Sequence, residues 1–332
     1  MQTRYTDLIN QTFDFPQEEF EVKEDGLHFH GIDLMKLIAE HGSPLKFTYL
    51  PKIGENINRA KAWFDKEIAK QDYKGKYYYC YCTKSSHFAH VVNEALKHDT
   101  HLETSSTYDV EIVNRLISSE KIKKDIFILC NGYKDNRYLS AVAGVIDQGF
   151  ENVISIIDHH DELERLTSLT DNHCKIGIRI ASEEEPKFPF YTSRLGIGYR
   201  SIVEFYKKDI ENNPRCTLKL LHFFINTGIN DSAYYWNELT KCLRVYCELK
   251  KVCPSLDSLD IGGGFPIKNS LAFDFDYEYM VHEIIYQIKV ACQEHGVDEP
   301  NIFTEFGSFT VGEASGILYS VQSQKKQNDR EK

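Results

Sequence analysis

Eight short apolar runs alternating with amphipathic segments predict an α/β protein of the (β/α)8, or TIM-barrel, class. The runs are continuously apolar rather than alternating, as strands buried on both faces are. They number eight and span residues 76 to 305, about the length of an ordinary barrel. Alternation alone would also suit an open doubly wound sheet; the count of eight favours the barrel.

The elements follow in order. The stretch FEVKEDGLHFHGIDL predicts a hairpin turning near Asp25-Gly26, followed by the short run KFTYL. A helix then carries Ile57, Ala60, Phe64 and Ile68 on one face. The first barrel strand is KYYYCYC (76–82), and helix 86–98 follows with Phe88, Val91, Val92, Ala95 and Leu96 at helical spacing. Next come THLETS (100–105), helix 107–119, DIFILC (125–130), helix 135–148, NVISII (152–157) and helix 161–170. The fifth strand is KIGIRI (175–180), with helix 199–211 after it, and the sixth is LKLLHFF (218–224). Helix 233–253 shows Leu239, Leu243, Tyr246 and Leu249 on one face. SLDIG (258–262), helix 277–295 with Met280, Ile284, Ile288 and Ala291, and NIFTE (301–305) complete the set. The closing eleven residues, QSQKKQNDREK, contain no apolar side chain.

Composition narrows the function classes. The 332 residues carry 39 basic and 50 acidic side chains, a net charge of −11, which argues against nucleic acid as the main partner. No apolar run is long enough for a spanning helix, so no membrane partner is expected, and the first fifteen residues lack the apolar core of a signal peptide. The nine cysteines are odd in number and form no CxxC pair. Several lie in apolar strands, which predicts reduced thiols packed in a core and a cytoplasmic location. Cys80 and Cys82 share a strand face and splay poorly around one ion, so no metal is expected.

In a barrel the chemistry sits at the C-terminal ends of the strands. Lys84 follows the first strand, where desolvation would lower its pKa and favour imine formation with a carbonyl cofactor. Gly262, Gly263 and Gly264 follow the seventh, offering bare backbone N–H groups to a phosphate. Glu305 ends the eighth, where a carboxylate needs a cation or a protonated ring nitrogen; Gly307 and Ser308 beside it offer further phosphate donors. Glu103 follows the second strand, and Arg179 stands within the fifth, able to pair with Glu103 or with a cofactor oxygen. Phe224, after the sixth strand, offers a flat face to a planar ring. Each has a plainer alternative: a lysine reaching solvent, a flexible turn, a structural ion pair, an aromatic in barrel packing. Lysine, glycine loop and carboxylate at three strand ends together predict pyridoxal 5′-phosphate. The run Asp158-His159-His160-Asp161-Glu162 resembles a metal-ligand cluster, but Asp161 reads better as a helix N-cap.

These motifs resemble the alanine-racemase-like barrel decarboxylases that use pyridoxal phosphate and act on ornithine, arginine, lysine or diaminopimelate. YCTKSS is similar to the family's lysine motif and implies Lys84 as the cofactor lysine. LDIGGGFP is similar to its glycine motif, and EFGS resembles its E-P-G-R motif, implying roles for Glu305 and Gly307. Arg179 matches the family's fifth-strand arginine, and Glu103 stands where the family has an acid. The chain departs from the pattern at Phe224, where a histidine usually stacks on the cofactor ring, and at Ser308, where an arginine usually stands; Thr227 keeps a hydroxyl.

The resemblance implies decarboxylation of a small-molecule amino-acid substrate, with arginine to agmatine in polyamine biosynthesis as the expectation. The alternatives are a non-catalytic pyridoxal-phosphate carrier, a barrel that has lost the cofactor, or a decarboxylase of ornithine, lysine or diaminopimelate. It implies a homodimer for the full-length protein. It divides the chain into residues 1–45 from a β domain, a cofactor barrel at 46–320, and 321–332 opening a C-terminal β domain that does not follow. The chain alone is therefore expected to be a truncated, nearly inactive piece.

Overall fold

The computed structural model describes residues 19–23, 26–182, 195–225, 229, 232–267 and 273–323. They form two compact units. One holds β1 (Phe20–Lys23), β2 (Gly26–Phe29), β3 (Ile32–Asp33), α1 (Leu34–His41) and β4 (Leu45–Thr48). Strands β1, β2 and β3 form an antiparallel sheet in which Lys23 lies opposite Gly26. The expected turn residue Asp25 lies outside the described residues. Asp33 caps α1 by accepting from the Met35 and Lys36 amides at 2.8 and 3.0 Å.

The second unit begins with α2 (Leu50–Lys70) and is the barrel. Its first strands are β5 (Tyr77–Cys82), β6 (His101–Thr104), β7 (Phe127–Cys130) and β8 (Asn152–Ile157), with α3 (Ala89–Leu96), α4 (Thr107–Ser118) and α5 (Asn136–Asp147) between them. Then come α6 (Asp161–Leu169), β9 (Cys174–Ala181), β10 (Ile197–Gly198), α7 (Tyr199–Phe205) and β11 (Cys216–His222). It ends with α8 (Ser232–Val252), β12 (Ser258–Asp260), α9 (Tyr277–His295), β13 (Asn301–Thr304) and α10 (Gly307–Val311). Every adjacent pair around the ring is parallel, and the pairings of β13 with β5 and β8 with β9 close it. All eight expected strands are present, which makes this the (β/α)8 barrel, with β10 added beside β9.

Strand β14 (Ser315–Leu318) leaves the barrel and pairs antiparallel with β4, Leu45 opposite Leu318. That pairing draws residues 45–48 and 315–318 into the first unit. The barrel unit is accordingly Leu50–Ile267 and Phe275–Gly312, narrower than the 46–320 the sequence leads one to expect.

Cys80, Leu129, Ile154, Ile156, Leu220 and Phe303 pack together as one buried apolar cluster on the barrel strands. Removing their side chains from water is the main force closing the sheet. All nine cysteines are buried and free. Among the described residues no helix is long and apolar enough to cross a membrane. Ser106, Asp135 and Asp276 cap α4, α5 and α9 through side-chain oxygens. Asp161 does not act as a cap: it is already the first residue of α6, and its carboxylate accepts from His159 and from Arg165.

His101, at the base of β6, accepts the Phe127 amide through Nδ1 at 3.2 Å, and burial pushes its pKa down to about 4. The unfolded chain therefore gains a proton here below pH 6.5, and the folded chain only near 4. This contribution to stability is full above pH 6.5 and declines as pH falls toward 4, by up to about 3 kcal/mol. Urea unfolding across that window should show the slope, and His101→Gln should flatten it.

Candidate active site

Each of the eight barrel strands ends in a polar side chain, and these converge at one mouth. They are Lys84 after β5, Glu103 on β6, Asn131 after β7, Asp158 after β8, Arg179 on β9, His222 on β11, Asp260 on β12 and Glu305 after β13. The register sets Arg179, His222 and Asp260 side by side on three neighbouring strands. All but Lys84 and Arg179 are buried.

Lys84 lies in a 3₁₀ turn, Thr83–Ser85, directly after β5. Its Nζ is 3.4 Å from the Glu103 carboxylate and 3.4 Å from Ser105 Oγ. The sequence leads one to expect a lowered lysine pKa. The structure reverses this: desolvation does pull downward, but Cys82, and then Glu103 and Glu305, outweigh it and raise the pKa. Glu103 in turn is lifted by burial and by Glu305, with Lys84 pulling the other way.

Asp260 accepts the Gly262 amide through Oδ1 at 2.7 Å. Burial, and then the charge of Glu305, push its pKa well above the usual aspartate range. Glu305 is the acid that stays ionised. Burial pushes it up, but the His222 ring facing it, and then Lys84, pull it below its usual range. Asn131 Nδ2 donates to both Glu305 oxygens, at 3.2 and 3.3 Å, and to His222 Nε2 at 3.0 Å.

The glycine loop reaches this acid directly. Gly262 and Gly264 have φ of +69° and +96°. A Cβ on Gly263 would stand 2.7 Å from the Glu305 carbonyl oxygen, so the loop packs against the backbone after β13. Gly307 serves the same purpose on the other side: a Cβ there would strike Ser85 Oγ and stand 2.7 Å from Cys82 Cβ, in the turn that carries Lys84. The three glycines, Glu305 and Lys84 therefore meet in one place.

Arg179 does not pair with Glu103. Its Nε lies 3.7 Å from Asp158 Oδ1, and its guanidinium covers the half-buried Phe224 ring at 5.3 Å. Ser308 is exposed on α10, and Thr227 lies outside the described residues. Sequence reasoning missed Asn131, Asp158, His222 and Asp260 as parts of this group. The strand-end rule that found Lys84 and Glu305 applies to all four.

The arrangement fits pyridoxal phosphate. An ionised buried carboxylate suits a protonated ring nitrogen, a lysine stands at the same mouth, and side-chain-free backbone lies between them. Among the described residues, Asp260 Oδ2 and His222 Nδ1 are buried without a hydrogen-bond partner, which marks the mouth as built to receive polar groups. With serine at 308, backbone amides and hydroxyls are left to hold a phosphate. Atoms of His222, Asp260 and Glu305 lie within 4.8 Å of one another, close enough for a metal ion, but Asn131 already points N–H bonds at two of them.

The pyridoxal-binding-domain model of the pyridoxal-dependent decarboxylases matches residues 55–312. A biosynthetic arginine decarboxylase of Prochlorococcus marinus is 22% identical over 325 residues, 91% of this chain and 49% of that protein. Among solved structures, the biosynthetic arginine decarboxylase of Campylobacter jejuni superposes with a TM-score of 0.72 at 19% identity, over 90% of this chain and 52% of its own. Diaminopimelate decarboxylase of M. jannaschii superposes with a TM-score of 0.80 at 18% identity, over 93% of this chain and 71% of its own. The chain spans about half the length of the curated relatives it matches.

Gly307→Ala should push the Lys84 turn away from β13. We expect a loss of about 1–3 kcal/mol in urea unfolding and weaker pyridoxal phosphate binding by absorbance titration.

Proposed function

Because the chain belongs to the pyridoxal-dependent decarboxylases through their pyridoxal-binding domain, we propose that it serves the decarboxylation of a basic amino acid, with arginine, giving agmatine for polyamine synthesis, as the substrate. The observation that carries this reading is the meeting of Lys84, the Gly262–Gly264 loop and ionised Glu305 at one barrel mouth. The match to a biosynthetic arginine decarboxylase over 91% of the chain supports arginine over ornithine, lysine or diaminopimelate.

Pyridoxal phosphate, when bound, supplies a ring that draws off the electron pair left as carbon dioxide departs. The chain's own residues hold and tune it. Lys84 is the amine for the cofactor's carbonyl; its raised pKa means it must surrender a proton first, and Glu103, at 3.4 Å with a raised pKa of its own, stands ready to take it. Glu305 presents its charge to the ring nitrogen and keeps a proton there. The amides of Gly262, Gly263 and Gly264 offer donors to the phosphate, with Gly307, Ser308 and Thr227 beside them in the same reading. Phe224 offers a face to the ring in place of an imidazole. Arg179, tied to Asp158, keeps Phe224 in position.

We extend the reading to the whole protein: residues 1–45 and 321–332 belong to a second, β-rich domain, and the full-length product is a cytoplasmic homodimer. A carrier without catalysis is the second reading. It draws on Phe224 and Ser308, both of which depart from the family's cofactor contacts.

The test is a decarboxylation screen of the gene product with arginine, ornithine, lysine and diaminopimelate, alongside cofactor absorbance. We expect a visible band on adding pyridoxal phosphate, lost in Lys84→Ala, and release of carbon dioxide from arginine. Glu305→Gln should lower kcat/KM by about 10²-fold or more, as loss of a single preorganised electrostatic partner does. A band without any carbon dioxide release would support the carrier; no band would overturn both readings.

A further inference from the structure

We infer that Asn131 is a positioning residue that reserves Glu305 for the cofactor's ring nitrogen, standing between Glu305 and His222 so that the imidazole cannot take the carboxylate as an ion-pair partner. This rests on the pyridoxal-phosphate reading above.

The orientation of Asn131 is fixed on every side. Its backbone N–H donates to Thr104 O at 2.8 Å, and its carbonyl accepts Tyr138 OH at 3.2 Å. Its side-chain Oδ1 accepts the Gly132 amide at 2.8 Å. With the oxygen committed there, the amide nitrogen must be the atom that faces the acid and the imidazole. It has two hydrogens and two targets: one hydrogen spans the Glu305 oxygens, and the other meets His222 Nε2.

That count decides the state of His222. An N–H aimed at Nε2 requires a lone pair there, so the ring proton sits on Nδ1 and the ring is neutral. An imidazolium, or the other tautomer, would set two donors against each other at 3.0 Å. The groups facing His222 are Glu305 after β13, Asp260 on β12, Arg179 on β9 and Asp158 after β8. Burial pushes the His222 pKa down, outweighing the attraction of Glu305.

The competing arrangement is close at hand. His222 Nε2 is already 3.6 Å from Glu305 Oε2. Without the Asn131 donor, a small rotation and one proton would convert the pair into a buried imidazolium–carboxylate bridge. Glu305 would then be neutralised by the protein, and the ring nitrogen would lose its partner. Asn131 prevents this at the cost of leaving the His222 Nδ1–H unpartnered: among the described residues that buried atom has no acceptor.

The experiment has two parts. Nitrogen-15 NMR of the histidine-labelled chain, without cofactor, reads the His222 ring directly. We expect a neutral Nδ1–H ring at neutral pH. A charged ring or an Nε2–H tautomer overturns the inference regardless of how any variant folds. The second part uses cofactor-loaded protein. In Asn131→Leu the His222 pKa should rise toward or above about 6.5, and the visible absorbance of the bound cofactor should acquire a pH dependence in the same range. kcat should fall about 10- to 100-fold, the span that outer-shell partners carry at metal sites, with KM little changed. In Asn131→Leu/His222→Phe, most of that loss and the pH dependence should disappear. A double variant as impaired as the single one would mean that Asn131 only supports the fold, and the inference fails. Should the wild-type chain take up no pyridoxal phosphate, the cofactor reading itself fails; wild-type protein that binds the cofactor with a charged His222 overturns the inference alone.

Discussion

The constraint on which this mouth depends is a surplus of buried acid. Glu103, Asp158, Asp260 and Glu305 face inward among two cations, Lys84 and Arg179. Four ionised carboxylates at such range, out of water, would repel one another and lack solvation. The conflict is eased by shifted pKa values. Burial, and then Glu305, push Asp260 upward, and Glu103 moves in the same direction. Glu305 alone is pulled the other way. Pairs of acids pushed apart in pKa are how a fold assigns different tasks to one functional group. Here the division falls between an acid that helps build the wall and an acid whose charge stays available.

The architecture supplies this arrangement through register. A parallel barrel brings the ends of its strands to one rim, and the neighbouring residues Arg179, His222 and Asp260 pair across β9, β11 and β12. Below the rim the same strands contribute Cys80, Leu129, Ile154, Ile156, Leu220 and Phe303 to an apolar cluster. Apolar packing fixes where the strands end, and the strand ends fix which polar groups meet. The buried ion pair of Lys134 with Glu162, both fully inaccessible, braces the loops after β7 and β8. Lys134 Nζ also donates to the carbonyls of Gly132 and Ile156, and Glu162 accepts the amides of Lys134 and Asp158. The segments bearing Asn131 and Asp158 are thereby tied to each other.

Much of this was legible in the sequence because apolar run and terminal residue are local features. Lys84 follows YYYCYC, Glu305 follows NIFT, and the three glycines follow SLDI. Asn131 and Asp158 occupy equivalent positions after FILC and NVISII, yet their sequence neighbourhoods read as a turn and a helix start. Their meaning lies in partners far along the chain: Asn131 and Glu305 are 174 positions apart. Arg179 illustrates the same limit. Its strand and inward placement can be read from its neighbours, but its choice of Asp158 over Glu103 depends on which strand ends lie nearest in the closed ring. The lysine pKa differs for a related reason: beside the neighbouring Cys82, two of the groups that oppose desolvation, Glu103 and Glu305, arrive from other strands. The pairing of β4 with β14 joins segments about 270 residues apart and has no local signal at all.

Phe224 and Ser308 bear on the same charge problem. A histidine at 224 would bring one more titratable ring to the mouth, next to a guanidinium that now covers the Phe224 face. Phenylalanine keeps the flat surface and removes the titration. On the reading proposed above, an arginine at 308 would add a cation on the phosphate side, and serine leaves that side to backbone dipoles and hydroxyls. The first departure removes a group that would respond to pH, and the second removes a fixed positive charge. On the same reading, what remains to set the ring nitrogen's protonation is Glu305, whose carboxylate accepts from the Asn131 amide, with His222 and Asp260 close beside it. If Glu305 is the group that governs the cofactor's electronics, as proposed above, the amide that keeps it unshared matters more here than it would among redundant charges.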